Sequence, residues 1–519
     1  MDDPARAAAT SPEPVERAEY LTVAAVTLLG ALCRLAAMRQ PMRYDEASAW
    51  ADFIGQSWWT ILSRYPTPNN HVLFSLVAKA TASLAPYHPW AIRLPALIAG
   101  IAIVPATWAV GRRLADRATA LLGAALAAGS MPLVLYSANA RGHSLVVLGG
   151  LGLVLLADRL RARPRWLAGW AAYVLVAALG LWTALLMIYS IAAVSLWLAM
   201  HALSQADGPA PDARDRSGEA VTRVRRALPQ LGRIIAADGA ALALAALLYL
   251  PIIRTSGLAA LLANKLVQPV PWPQFARLLP PFLYELALTW SSPLSTFSLL
   301  CVVALFVFAL AGMPRARRGG PSFALAAVGG CLAPFLFSHA HPFVRMWLFF
   351  VPFFLLAAGR GLVRVARATR IPARVDLAWG ALMIAVVVSA AAMGSRAAEG
   401  TDDTGRFAAA NEVASALAPQ LRAGDRVLAT IPLNAPLLWY FGARGLDTAS
   451  LNTPIAMTRR AFLVLDSTRG QTLQRAVEAG VIDPTLFEPP MLVVRSGGAV
   501  VWRAERRATP PPLADQGVR

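Results

Sequence analysis

The sequence predicts a mostly α-helical polytopic membrane protein with about 11 transmembrane helices, interfacial helices in its first outer loop, and a small C-terminal α/β domain. Three observations predict it. Of 519 residues, 57% are hydrophobic and only 15% charged, with mean hydropathy +0.52, where a soluble domain carries roughly 25% charged residues. Apolar runs long enough to cross ~30 Å of hydrocarbon recur along the chain. Past Arg396 those runs give way to short strand-like and helix-like segments.

The net charge of +19 does not mark a nucleic-acid binder. Nearly every basic residue is Arg, only Lys79 and Lys265 are Lys, and the arginines collect in short segments between apolar runs. That is a topology signal. Cys33, Cys301 and Cys331 all fall in apolar runs, so they read as small buried thiols and not as a disulfide framework.

Residues 1–18 are Ala, Pro and charge without periodicity, which predicts a disordered cytoplasmic tail without the layout of a cleavable signal peptide. Spans are predicted at 19–38, 91–111, 118–137, 143–158, 166–182, 184–203, 233–253, 293–313, 321–338, 343–360 and 375–394. Alternate connections carry Arg112, Arg113 and Arg117, then Arg159, Arg161, Arg163 and Arg165, then Arg214 to Arg233, then Arg315, Arg317 and Arg318, then Arg360 to Arg374. By the positive-inside rule that side is cytoplasmic. The opposite side receives residues 39–90, 139–142, 254–292, 339–342 and everything after 395. A multi-pass protein of the inner (plasma) membrane is expected, with its outer loops and C-terminal domain extracytoplasmic.

The first outer loop is too long and too apolar for a simple connection. Trp50, Phe53, Ile54, Trp58 and Ile61 recur at helical spacing, which predicts a helix lying in the membrane interface. After Pro66 and Pro68, residues 72–84 predict a second apolar helix too short to span. In 254–292, Pro271, Pro273, Pro280 and Pro281 predict a broken segment of the same character. Strands are expected at 425–431, 461–466, 491–494 and 499–502, with helices at 405–422 and 470–479. No internal repeat, nucleotide-binding glycine loop or Cys/His metal spacing is present.

Four stretches carry residue types suited to chemistry. Asp45 and Glu46, after Tyr44, sit a few residues past the first span; they either anchor a helix end in water or supply a general base facing outside. Asn69, Asn70 and His71 lead into the second short helix, where an asparagine cap and a fixed His71 are compatible. Arg141, with His143 beside it, sits in a very short outer turn, either reaching for lipid headgroups or holding an anion. Arg345, after His339 and His341, stands at the outer start of an apolar helix, against the positive-inside trend. A guanidinium there snorkels, pairs with a carboxylate, or meets a phosphate, whose geometry suits its fork. The two histidines have no further metal ligands around them in the sequence. Lys265 is a solvated residue or a phosphate contact, Glu285 is likewise an ordinary solvated residue or a substrate contact, and Asp402 and Asp403 read as a loop into the outer domain.

Together, the acidic corner, the Asn-Asn-His element, the Ala140-Arg141 turn and Arg345 before Pro352 resemble the GT-C membrane glycosyltransferases. So does Arg93-Leu94-Pro95 leading to Gly111, Arg112 and Arg113. The chain looks most similar to the branch of dolichyl-phosphate-mannose protein mannosyltransferases and aminoarabinose lipid A transferases. The resemblance implies a GT-C-like transmembrane domain over 19–394 with catalytic outer loops (39–90 and 254–292), a small extracytoplasmic α/β domain over 395–507, and a disordered tail over 508–519. It implies transfer of a hexose or pentose, with inversion, from a polyprenyl-phosphate carrier in the lipid bilayer to a glycan, lipid or protein acceptor. No metal or other cofactor is implied. Position by position, Asp45 would be the general base and Glu46 its neighbour in holding acceptor or sugar. Arg345 would bind the carrier phosphate, and Tyr44, Asn70, His71, Arg141, His143, Lys265 and His341 would be further substrate contacts. One departure is Thr183-Ala184, where relatives often have His or Tyr after the Thr. Two readings of other classes stand beside this one: a transporter or flippase for a lipid-linked or anionic solute, and a non-catalytic assembly or polysaccharide-binding protein.

Overall fold

The computed structural model describes residues 15–205, 216–262, 267–292, 322–368, 400–451 and 457–508. The expected spans 293–313 and 375–394, most of both expected tails, Lys265 and Cys301 lie outside them. In chain order the helices are α1 (Arg17–Ala37), α2 (Tyr44–Ala49), α3 (Trp58–Ser63), α4 (Val72–Ala82), α5 (Pro89–Leu114), α6 (Arg117–Gly129), α7 (Met131–Ser137), α8 (His143–Ala162), α9 (Leu167–Thr183) and α10 (Met187–Gln205). They continue as α11 (Arg216–Ser256), α12 (Leu258–Leu262), α13 (Trp272–Ser291), α14 (Phe323–Ser338), α15 (Val351–Ala368), α16 (Ala410–Leu417), α17 (Asn434–Ala443) and α18 (Leu473–Glu478). The strands are β1 (Asp425–Ala429), β2 (Arg460–Asp466), β3 (Met491–Ser496) and β4 (Ala499–Glu505).

Among the described residues, five helices are long and apolar enough to cross a membrane: Arg17–Ala37, Pro89–Leu114, Met187–Gln205, Val224–Ser256 and Val344–Arg364. A sixth forms if α6 and α7, bent by 57° at their junction, count as one. Two of the eleven expected spans lie outside the described residues, and among those described length and composition confirm five or six. The expected spans at 166–182 and 321–338 appear as shorter apolar helices, α9 and α14. Two other expectations change in form. The interfacial helix over 50–61 is two pieces, since a π-helical turn at Trp50–Ile54 ends at Gly55 before α3 begins. Pro280 and Pro281 lie inside the twenty-residue α13, while Pro271 and Pro273 sit at its start, where a missing N–H costs nothing.

The chain divides into two compact units. The first draws on Met1–Met38, Trp58–Ala78 and Arg93–Gly400. Its contacts sort helix ends into two sets. At one set, the buried Glu19 carboxylate of α1 meets Arg112 of α5 at 3.1 Å and Arg117 of α6 at 3.5 Å, and accepts from Trp108 Nε1 at 2.8 Å. Asp158 near the end of α8 meets Arg113 at 3.5 Å. At the other set, Arg93 donates to Met38 O at 2.8 Å, and Tyr249 of α11 donates to Leu181 O of α9 at 2.9 Å. An alternating path through the layer requires this sorting. The interior is apolar side chains from α5 to α15, with Trp197 and Tyr173 wholly buried in it.

The break between α6 and α7 is stabilised from α1. Arg34, fully buried, donates to Ala128 O and Gly30 O at 2.9 Å, to Ala127 O at 3.2 Å and to Ser137 Oγ at 3.1 Å. The last carbonyls of a helix have no partner within it. A guanidinium keeps its charge even in a hydrophobic interior, so it satisfies those oxygens at a place where water does not reach.

The second unit draws on Arg39–Ser57, Lys79–Ile92 and Thr401–Arg519. Its sheet has the order β1-β2-β4-β3, with β1 and β2 parallel and the other pairs antiparallel. β2 is covered on both faces, so its residues from Ala461 to Asp466 are all buried. Phe462 and Val464 face Val413, Leu417 and Phe441, while Leu463 and Leu465 face Ala476, Ile482 and Phe487. A parallel pair needs a crossover, and α17, which sequence reading does not assign, supplies it. Trp439 of α17, 1% exposed, packs edge-on against Trp50 at 4.8 Å and Tyr87 at 5.5 Å, tying the first-loop segments to this unit.

Replacing Arg34 by Met strips the donors from the α6 carbonyls, and we expect a loss of about 1–3 kcal/mol in unfolding free energy, with Arg34→Lys in between. Denaturant titration of the purified protein in detergent checks this; an Arg34→Met protein as stable as wild type contradicts it.

Candidate active site

Each unit carries part of the predicted constellation. In the first, His71 precedes α4 and His143 opens α8. Their rings meet edge to face at 5.0 Å, and Tyr136 meets the His143 ring edge to face at 4.8 Å. His71, His143 and Arg141 are each about 5–6% exposed. The link is a close approach at Gly142, where a Cβ would lie 2.7 Å from His71 Nδ1 and 2.6 Å from the Thr183 methyl. Only a glycine lets the turn carrying Arg141 lie this near His71. His71 Nδ1 and His143 Nε2 are buried and, among the described residues, make no hydrogen bond. Such nitrogens are costly to leave unmet, and they mark a place where a polar ligand group is expected.

The electrostatics agree. His71 is held well below the usual histidine range, first by burial and then by the nearby guanidinium groups of Arg141 and Arg345. Arg345 is half-buried in the 3-10 turn Val344–Phe350, its guanidinium 4.3 Å from the Phe343 ring centroid. Two neutral imidazoles and two permanent cations make a site for an anion with several oxygens, such as a phosphate.

Other predicted residues have local duties. Asn70, 1% exposed, donates to Ile61 O at 2.9 Å and Arg64 O at 3.1 Å, and its Oδ1 accepts from Ser75 Oγ at 3.0 Å. It pins the loop before α4 in place of capping that helix, which fixes its neighbour His71. His341 stacks on Phe275 at 4.6 Å and donates Nε2–H to Phe275 O at 3.1 Å. His339 donates to Val270 O at 2.7 Å. Among the described residues no group of three or more His, Cys, Asp or Glu side chains is arranged to hold a metal ion.

The acidic corner belongs to the second unit. α2 opens at Tyr44, so Asp45 and Glu46 lie in its first turn. Glu46 is fully buried and its Oε1 accepts from Arg43 N at 2.9 Å, closing the helix start from within. Tyr44 N–H donates to Gly405 O at 2.8 Å and Asp45 N–H to Thr404 O at 3.2 Å. Sequence reading missed Arg34, Arg43 and this 401–405 turn; a charged residue inside the first apolar run was the available signal for Arg34.

No family model matches the sequence, and no curated protein matches it. Solved structures do match. ArnT from Cupriavidus metallidurans bound to undecaprenyl phosphate aligns over 93% of this chain and 97% of that one, at 15% identity and TM-score 0.56. The same protein in the apo state gives TM-score 0.54 at 15% identity over the same shares of the two chains. The archaeal oligosaccharyltransferase AglB from Archaeoglobus fulgidus, in complex with an inhibitory peptide and a dolichol-phosphate, aligns over 93% of this chain and 74% of that one, at 10% identity and TM-score 0.53. The fold is that of the GT-C membrane glycosyltransferases.

A histidine whose folded pKa is depressed withdraws stability as pH falls below its unfolded value, because only the unfolded chain then takes the proton readily. The stability margin of wild type over His71→Asn should therefore shrink between about pH 7.5 and about pH 5.5. Thermal melts at the two pH values measure it, and a margin that is constant or grows on acidification contradicts the placement of His71.

Proposed function

We propose that the protein is a membrane glycosyltransferase that moves a sugar from a polyprenyl-phosphate carrier to an acceptor hydroxyl on the extracytoplasmic face, with inversion and without a metal ion. The observation that carries this reading is the buried pair of imidazoles, each with an unmet nitrogen, beside two guanidinium groups. It lies in a fold shared with a protein solved with undecaprenyl phosphate and another solved with a dolichol-phosphate.

The chemistry divides into two tasks. An acceptor hydroxyl is a poor nucleophile, and a carboxylate within ~3 Å takes its proton as its oxygen attacks the anomeric carbon. Asp45 has this role, and Glu46, whose carboxylate closes the helix start, holds it in place. The bond from the anomeric carbon to the phosphate oxygen breaks, and the polyprenyl phosphate leaves with an added negative charge. Arg345 and Arg141 meet that charge, and His71 and His143 donate to its oxygens while uncharged. A single displacement inverts the anomeric centre. A carrier with a polyprenyl tail stays in the bilayer, so the enzyme brings the reacting centre to the interface.

Transport of a lipid-linked anion is the second reading, favoured by the span broken between α6 and α7. Transporters place broken helices in corresponding halves, and among the described residues there is a single broken span, without a counterpart. Flux of a labelled substrate without transfer would favour transport.

Asp45→Asn should abolish sugar transfer while the melting temperature stays near wild type; substantial turnover in that variant removes the base. Arg345→Ala should weaken binding of a polyprenyl-phosphate analogue by roughly 2–5 kcal/mol. Equal affinity in a binding titration contradicts the phosphate role.

A further inference from the structure

The start of α2 is closed by a stretch far away in sequence. The first N–H groups of a helix have no partner within it, and a Ser, Thr, Asp or Asn just ahead usually supplies one. Arg43 stands at that place instead, and Tyr44 and Asp45 donate to the carbonyls of Gly405 and Thr404. Arg43, 1% exposed, donates through Nη1 to Thr401 O at 2.8 Å and to Asp403 O at 3.0 Å, and through Nε to Gln40 Oε1 at 2.7 Å. One guanidinium thus clamps the 401–403 backbone while the next two carbonyls receive the base-bearing turn.

The turn is shaped for this. Thr404 has φ 71° and Gly405 φ 72°, both left-handed. A β-branched residue avoids that region, and it is held there only when its surroundings over-determine it. Thr404 is 4% exposed. At Gly405 a Cβ would lie 2.6 Å from Tyr44 Cβ and 2.9 Å from Pro432 Cβ, so any larger residue pushes the acidic corner away.

We propose that Arg43 is a positioning residue for Asp45, and that the 401–405 turn, where the C-terminal segment begins, is a working part of the acidic corner. This rests on the reading of Asp45 as the base. Without the clamp the carboxylate remains in the chain but loses the backbone frame that aims it. The C-terminal domain is then required for proton removal itself, whichever acceptor it meets.

The test uses the full-length protein in nanodiscs, with Arg43→Met, Arg43→Lys and Asp45→Asn beside wild type. Activity is expressed per molecule that binds a polyprenyl-phosphate analogue. A displaced base slows proton transfer, so Arg43→Met should lower kcat roughly tenfold or more, leave donor KM within about twofold, and change the solvent deuterium isotope effect on kcat. Arg43→Lys, whose ammonium reaches fewer acceptors, should fall between; if the Met variant does not fold, the same three readouts on the Lys variant decide. A merely structural role would reduce the number of active molecules and leave the isotope effect as it was, and that result overturns the proposal. So does a wild-type kcat in Arg43→Met. Turnover in Asp45→Asn instead removes the base assignment on which the proposal rests, whatever Arg43 does.

Discussion

A guanidinium cannot shed its charge, so wherever one is buried the fold must bring acceptors to it. Arg34, Arg43 and Arg93 are all buried to 1% exposure or less, and all three donate to main-chain carbonyls. Each sits at a joint. Arg34 fastens the first span to the break between α6 and α7. Arg93 fastens the start of a long span to Met38 at the end of the first. Arg43 fastens the first loop to the turn at 401–405. Carbonyls at helix ends and turns need donors away from water, and these three side chains supply them.

The same logic explains the chemistry-bearing parts. Ser137, which Arg34 holds, ends α7 immediately before the turn with Arg141, and Gly142 lets that turn close on His71. Asn70 spends its side chain on two carbonyls and a hydroxyl, and its neighbour His71 is left with an unmet nitrogen. In the second unit the reciprocal bond from Glu46 and the two donated carbonyls fix Asp45 to within one turn of helix. Rigid polar neighbours, themselves satisfied, hold the few groups that are not. Burial then keeps His71 uncharged, so the local positive charge comes from two arginines whose state does not vary with pH.

Much of this was legible in the sequence. Hydropathy located the helices, and charge alternation sorted their ends as the Glu19 and Arg93 contacts do. β2 falls close to its expected place because it is a continuous apolar run, buried on both faces. The residues of the first-unit cluster were named from their residue types and their places beside spans. Other features had no local signal. α17 is not assigned from the sequence, although the parallel pairing of β1 and β2 demands a crossover. The role of Arg43 depends on residues 358 and 360 positions away, a distance no periodicity bridges. Asp402 and Asp403 read as a plain connection, yet Asp403 contributes a carbonyl to the clamp. The resemblance places His341 among the substrate contacts, and the structure packs its ring against Phe275, Phe282 and Phe335, neighbours that no spacing in the sequence announces.

The central claim is that sugar leaves a polyprenyl phosphate on this protein. The most direct measurement gives the purified, reconstituted protein a radiolabelled sugar on a polyprenyl phosphate or the same sugar on a nucleotide, together with extracted envelope acceptors. Label appearing in acceptor from the lipid-linked donor alone is the predicted result. Label taken from the nucleotide sugar, or movement of the intact lipid-linked sugar across the bilayer with no transfer, contradicts it.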